Sequence, residues 1–101
     1  MTPRIRRDPE EEPMNFLVIC RRTSDGDTDA FARLVADEGA VLRKLQADGI
    51  LAHAWSPGGP GAVLMLDLPD QAAAERITSE LPLAAAGLIT TEVIPLHPLN
   101  F

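Results

Sequence analysis

Residues 15–20 (NFLVIC) and 62–68 (AVLMLDL) are apolar at nearly every position, not merely at alternate ones. Successive side chains of a strand point to opposite sheet faces, so each stretch is greasy on both sides. Strands of that kind belong in the middle of a sheet that is covered on both faces. A chain of 101 residues holds one domain, and a small one buries only a modest share of its surface. It can supply helices for one face of such a sheet. The second face has to be covered by something else.

The rest of the chain is organised around these two strands. Residues 21–28 (RRTSDGDT) have loop chemistry, and Asp27 or Thr28 is placed to cap a helix that Asp29 favours in its first turn. The helix runs to about Asp48, with Arg43 and Lys44 near its negative end and Gly49 as a natural C′ residue. Residues 50–56 (ILAHAWS) read as a second strand, with Leu51, His53 and Trp55 on one face and Ile50, Ala52 and Ala54 on the other. Residues 57–61 (PGGPG) form a turn, which makes the second and third strands an antiparallel hairpin. Pro69 suits the first position of a second helix, with Ala73, Ile77 and Leu81 on one stripe and Pro82 ending it. Residues 88–96 (LITTEVIPL) are the fourth strand, and 97–101 a short tail.

The order βαββαβ is the split βαβ, or ferredoxin-like, arrangement: an α+β domain with a four-stranded antiparallel sheet and both helices on one face. The expected solution for the other face is a second copy, pairing sheet to sheet into a dimeric α+β barrel. Residues 14–101 are expected to form this domain. Residues 1–13, three arginines followed by four acids and broken by prolines, have almost nothing to bury and are expected to be a disordered tail.

Charge and cysteine usage exclude several functions. A net charge of −6 leaves no basic stripe for nucleic acid or an anionic membrane surface. The one cysteine, Cys20, rules out an intrachain disulfide and a multi-cysteine zinc site or metallochaperone pair. An RNA-binding version of this topology would need aromatics on its inner strands, and residues 62–68 have none. No apolar run reaches the roughly 20 residues of a membrane span, and the start lacks a signal-peptide core, so a cytoplasmic location is expected.

One residue breaks the pattern. On the first helix Phe31, Leu34, Val35, Val41, Leu42 and Leu45 form an apolar stripe, and Glu38 falls near its middle. An unpaired carboxylate on a core face costs several kcal/mol if ionised, so either a partner or a cavity must receive it. Desolvation raises its pKa toward neutrality, where a general acid or base is most effective. His53, mid-strand, is a candidate partner able to donate or shuttle a proton. The alternatives are a glutamate that reaches water beside the stripe or sits in a structural ion pair, and a hydrogen-bonded structural histidine. Cys20 reads as a buried thiol, PGGPG lacks the lysine of a phosphate loop, and His97 with His53 has no metal-ligand spacing.

Glu80-Leu81-Pro82-Leu83 and Glu92-Val93-Ile94-Pro95-Leu96, with the opening at Met14 to Val18 and the passage from Leu45-Gln46 through Gly49, His53 and Trp55, resemble the muconolactone isomerase-like family over about residues 14–98. The resemblance implies a ferredoxin-like subunit in dimers or larger homo-oligomers, and proton transfer on a small ring without cofactor or metal. It sets the family's helix glutamate on Glu38 and its strand-two histidine on His53. Departures are equally visible. Ile19 and Ile50 stand where muconolactone isomerases carry basic residues, Val41 replaces a tyrosine, and Ala84, Ala85 and Ala86 replace aromatics.

The expected function is therefore a cofactor-independent isomerase or cyclase acting on a small, largely apolar, lactone- or polyketide-like secondary metabolite. Glu38 would act as general acid/base and His53 would assist. Trp55, Ile19, Ile50, Leu51, Val41 and Leu42 would provide the walls. Two other readings share the fold: a cofactor-free monooxygenase of the antibiotic-biosynthesis type, and a non-catalytic module for ligand binding or oligomerisation.

Overall fold

The computed structural model describes residues 14–23, 28–58 and 61–101. The expected tail, residues 1–13, lies outside the described residues. The elements run β1 (Met14–Arg22), α1 (Thr28–Ala47), β2 (Leu51–Trp55), β3 (Ala62–Leu68), α2 (Gln71–Ser79), α3 (Pro82–Ala85) and β4 (Ile89–Leu96). The four strands form one antiparallel sheet in the order β2-β3-β1-β4, so the two strands that are apolar on both sides lie at its centre. This is the expected α+β architecture. No helix among the described residues is long and apolar enough to cross a membrane.

Register sorts the side chains by face. Phe16, Val18 and Cys20 of β1 and Leu64, Leu66 and Leu68 of β3 turn toward the helices and are buried. Ala73, Ala74, Leu81, Leu83, Leu88 and Ile89 complete the core against them. Their register neighbours Leu17, Ile19, Val63, Met65, Ile94 and Leu96 point the other way, where one copy leaves them half exposed. Asn15 hydrogen-bonds Asp67 at one end of this second face, and Arg21 pairs with Glu92 at 3.1 Å at the other.

Gly49 ends α1 as the sequence predicts. It takes a positive φ of 78°, and the Ile50 N–H donates to the Leu45 carbonyl at 2.9 Å, closing a Schellman turn. Three local features differ from the expectation. β1 does not stop at Cys20: Arg21 and Arg22 continue the ladder opposite Thr90 and Ile89. Pro69 lies before α2, not in it; Asp70 is the N-cap, its carboxylate accepting from the Ala73 N–H at 2.8 Å. Pro82 both ends α2 and opens α3, an additional single turn. It holds Leu81 extended (φ −59°, ψ 137°) and sits at the head of the new turn, where a missing N–H has no consequence.

A β-bulge is the fourth departure. Leu51 pairs with Leu66, but His53 pairs with Met65, so Ala52 is extra and the strand's facing reverses there. Leu51 is buried on the helix side. His53 and Trp55 share the opposite face, stacked with ring centroids 5.4 Å apart.

Candidate active site

α1 crosses the helix side of the sheet without burying any residue fully. The reason is space beneath it. Phe31, Val35, Glu38 and Leu42, at i, i+4, i+7 and i+11, face a cavity of about 220 Å³. The floor is the sheet, with Cys20 from β1, Ala62 and Leu64 from β3, Gly61 just before it, and Ile89 from β4. Leu83 of α3 closes one side. Nine of these ten residues carry no charge, and the tenth is Glu38.

Glu38 is held in place, not left loose. Its Oε1 accepts a hydrogen bond of 3.0 Å from the backbone N–H of Leu83. That amide lies in the first turn of α3, where N–H groups have no partner within the helix, so Pro82 indirectly creates the donor. The other carboxyl oxygen has no hydrogen-bond partner among the described residues. Burial pushes the Glu38 pKa above the ordinary carboxylate value, and the Leu83 amide pulls it part of the way back. Across the cavity the Cys20 thiol is pushed up to about 11, first by burial and then by the charge on Glu38. It stays a neutral thiol near pH 7, a wall and not a nucleophile.

Gly61 makes the floor possible. Its φ is 117°, and a Cβ there would run into the carbonyl oxygen of Cys20. At the outer end of β1, the Arg22 guanidinium carbon lies 4.3 Å from the centre of the Phe31 ring.

The structure parts several residues that the sequence grouped. Glu38 is on the helix side of the sheet and His53 on the opposite side, so within one copy they do not meet; the bulge at Ala52 is the cause. Ile19 and Trp55 lie on that opposite face too. Among the expected walls only Leu42 lines the Glu38 cavity. Val41 and Ile50 pack against the core, and Leu51 is part of it. Leu51, His53 and Leu42 do border a second hollow of about 190 Å³, between α1 and the edge strand β2, together with Arg43 and Gln46. The other cavity residues, Cys20, Phe31, Val35, Gly61, Ala62, Leu64, Leu83 and Ile89, were not among the expected site residues. The proline at 82 carried the one available signal, since proline so often begins a helix with free amides.

Residues 14–100 match the family model described as muconolactone delta-isomerase. Muconolactone Delta-isomerase 2 of Acinetobacter lwoffii is 38% identical over 61 residues, a stretch covering 59% of this chain and 64% of that relative. A crystal structure of muconolactone isomerase superposes with a TM-score of 0.69 at 28% identity, covering 86% of this chain and 94% of that one.

Proposed function

Because the chain belongs to the muconolactone delta-isomerase family, we propose that it is a cofactor-independent isomerase or cyclase in which Glu38 moves a proton on a small, largely apolar ring. One observation carries the reading. A carboxyl group with a raised pKa opens on an apolar cavity, with one oxygen fixed by a backbone amide and the other unengaged.

The chemistry follows from that arrangement. As carboxylate, Glu38 takes a proton from a carbon beside the ring carbonyl. The C–H electron pair spreads into the conjugated system as an enolate. The resulting carboxylic acid returns the proton to a carbon further along, so one C–H bond breaks, another forms, and the double bond shifts with no change of oxidation state. Leu83 N–H keeps the acid aimed throughout, which limits the orientations that must be sampled. A raised pKa brings the acid and base forms closer in energy near pH 7, so neither proton transfer is strongly uphill. The apolar lining suits a lactone- or polyketide-like secondary metabolite.

The assembly that fits this reading is a homodimer or larger. A second copy would cover the face carrying Leu17, Ile19, Val63 and Met65, and would bring His53 and Trp55 into the interface. His53 then has a role between copies and not beside Glu38 of its own chain. The reading also includes a cytoplasmic location.

The test uses α-angelica lactone, an uncharged lactone whose double bond can migrate, followed by proton NMR in D₂O. Wild-type protein should wash deuterium into the ring and shift the double bond. Glu38→Gln should lower both rates by about a hundredfold or more. A Gln variant as fast as wild type would remove Glu38 from the mechanism.

A further inference from the structure

The Glu38 cavity and the second hollow share a wall. Leu42 faces the cavity together with Phe31, Val35 and Glu38, and it also borders the hollow of about 190 Å³ between α1 and β2. Gln46, one helical turn further on, borders only that second hollow. The floors adjoin as well. Leu64, in the floor of the cavity, is the ladder partner of Ala54, which lines the hollow, and no strand lies between them. Two spaces thus lie side by side under one helix, and Leu42 is the side chain common to both.

Small residues keep the second space open. β2 contributes Ala52 and Ala54 to its lining, and a methyl group at each leaves room that a longer side chain would fill. Leu42 is half-buried and packs on the core, which fixes it between the two spaces. A cavity of about 150 Å³ takes a benzene-sized ring. At about 220 Å³, the Glu38 side has space for one ring or a fused pair. A third ring in line needs the space beyond Leu42.

We infer that Leu42 is a specificity residue, a partition that holds the ligand to one or two small rings on the Glu38 side of a longer groove. The inference rests on the Glu38 cavity being the ligand site. It adds a size limit to the ligand class: a largely apolar, lactone-like ring system with no third ring or long chain directed toward β2. The limit is steric, because the isobutyl group of Leu42 occupies the path from one space to the other.

Coumarin and psoralen test the partition, with binding followed by amide chemical shifts. Both are uncharged lactones built on the same fused pair of rings, and psoralen carries a third ring in line. Wild-type protein should bind coumarin more tightly by about tenfold or more, the scale on which a small misfit discriminates in an apolar pocket. Leu42→Ala should abolish or reverse that preference, and Leu42→Val should reduce it. Coumarin should move the amides of Leu83 and Ile89, and psoralen bound to Leu42→Ala should move those of Ala52 and Ala54 too. Adding Ala54→Leu to Leu42→Ala refills the second hollow and should restore the preference for coumarin, which a merely loosened helix would not do. Should Leu42→Ala lose its native amide spectrum, Leu42→Val carries the same comparison. A wild type that binds psoralen as tightly as coumarin, a preference untouched by trimming Leu42, or a double variant that still takes psoralen overturns the role of Leu42 alone. Binding of neither lactone by wild type, or binding that leaves Leu83 and Ile89 still, overturns the cavity as a ligand site and the partition with it.

Discussion

The proposed role of Glu38 comes with a structural cost. Folding places its carboxyl in a partly dry site, so the folded chain binds its proton more tightly than the unfolded chain does. The sign follows directly. Between the ordinary carboxylate pKa and the raised one, the folded state holds more protons, and stability falls as pH rises through that window. Glu38→Gln keeps a carbonyl oxygen for the Leu83 amide and removes the titration. The variant should therefore gain thermal stability over wild type at pH 7, and the gain should shrink toward zero as pH is lowered below the ordinary carboxylate range. Melting curves across pH measure this. A Gln variant less stable than wild type at pH 7 would mean that the ionised carboxylate is well solvated. Stability gained as activity is lost is the pattern of a residue kept for chemistry. At this scale Glu38 was legible from the charge in the middle of an apolar helical stripe, but of the residues expected around it only Leu42 lines the same cavity. Cys20 was legible only as a buried thiol. That it faces Glu38 depends on strand and helix packing, which no local pattern records.

The elements show where prolines and acids outweigh periodicity. α2 starts at Gln71 because Asp70 satisfies a free amide that Pro69 cannot reach. Asp70→Ala should destabilise the fold by about 1 kcal/mol, visible as a lower denaturant midpoint with unchanged slope. An unchanged midpoint would leave the α2 start to packing alone. The central strands, α1 and its glycine stop were readable because hydrophobic period and turn residues agree there. α3 was not, since residues 82–87 (PLAAAG) look like a connection, and Pro82–Ala85 make a helical turn with Leu83 packed into the core. The bulge at Ala52 left no mark either. A strand of alternating Leu, Ala, His, Ala and Trp fits either facing, and only pairing with Leu66 and Met65 selects one.

For the whole molecule, the sheet is the dividing plane. Its helix side holds the core and the cavity, and its other side carries an apolar strip from Leu17 and Ile19 to Val63 and Met65. If a second copy covers that strip, Met65→Lys should convert the oligomer to a monomer by light scattering. Circular dichroism should stay native, because Phe16, Val18, Leu64 and Leu66 lie on the far side of the sheet. A Lys variant that remains oligomeric would place the contact elsewhere. The sequence by itself determined the α+β class, the order of the four strands and the two longer helices along the chain, the centrality of β1 and β3, and the oddity of Glu38. Each of these follows from local periodicity and from the free energy of burying apolar or charged groups. Only the tertiary structure decided that Glu38 looks into a cavity, that Leu83 holds it, that Arg22 lies over the Phe31 ring and that His53 is turned away. Those facts depend on which residues, distant along the chain, come within a few ångströms of one another, and a one-residue shift in strand pairing is enough to change the answer.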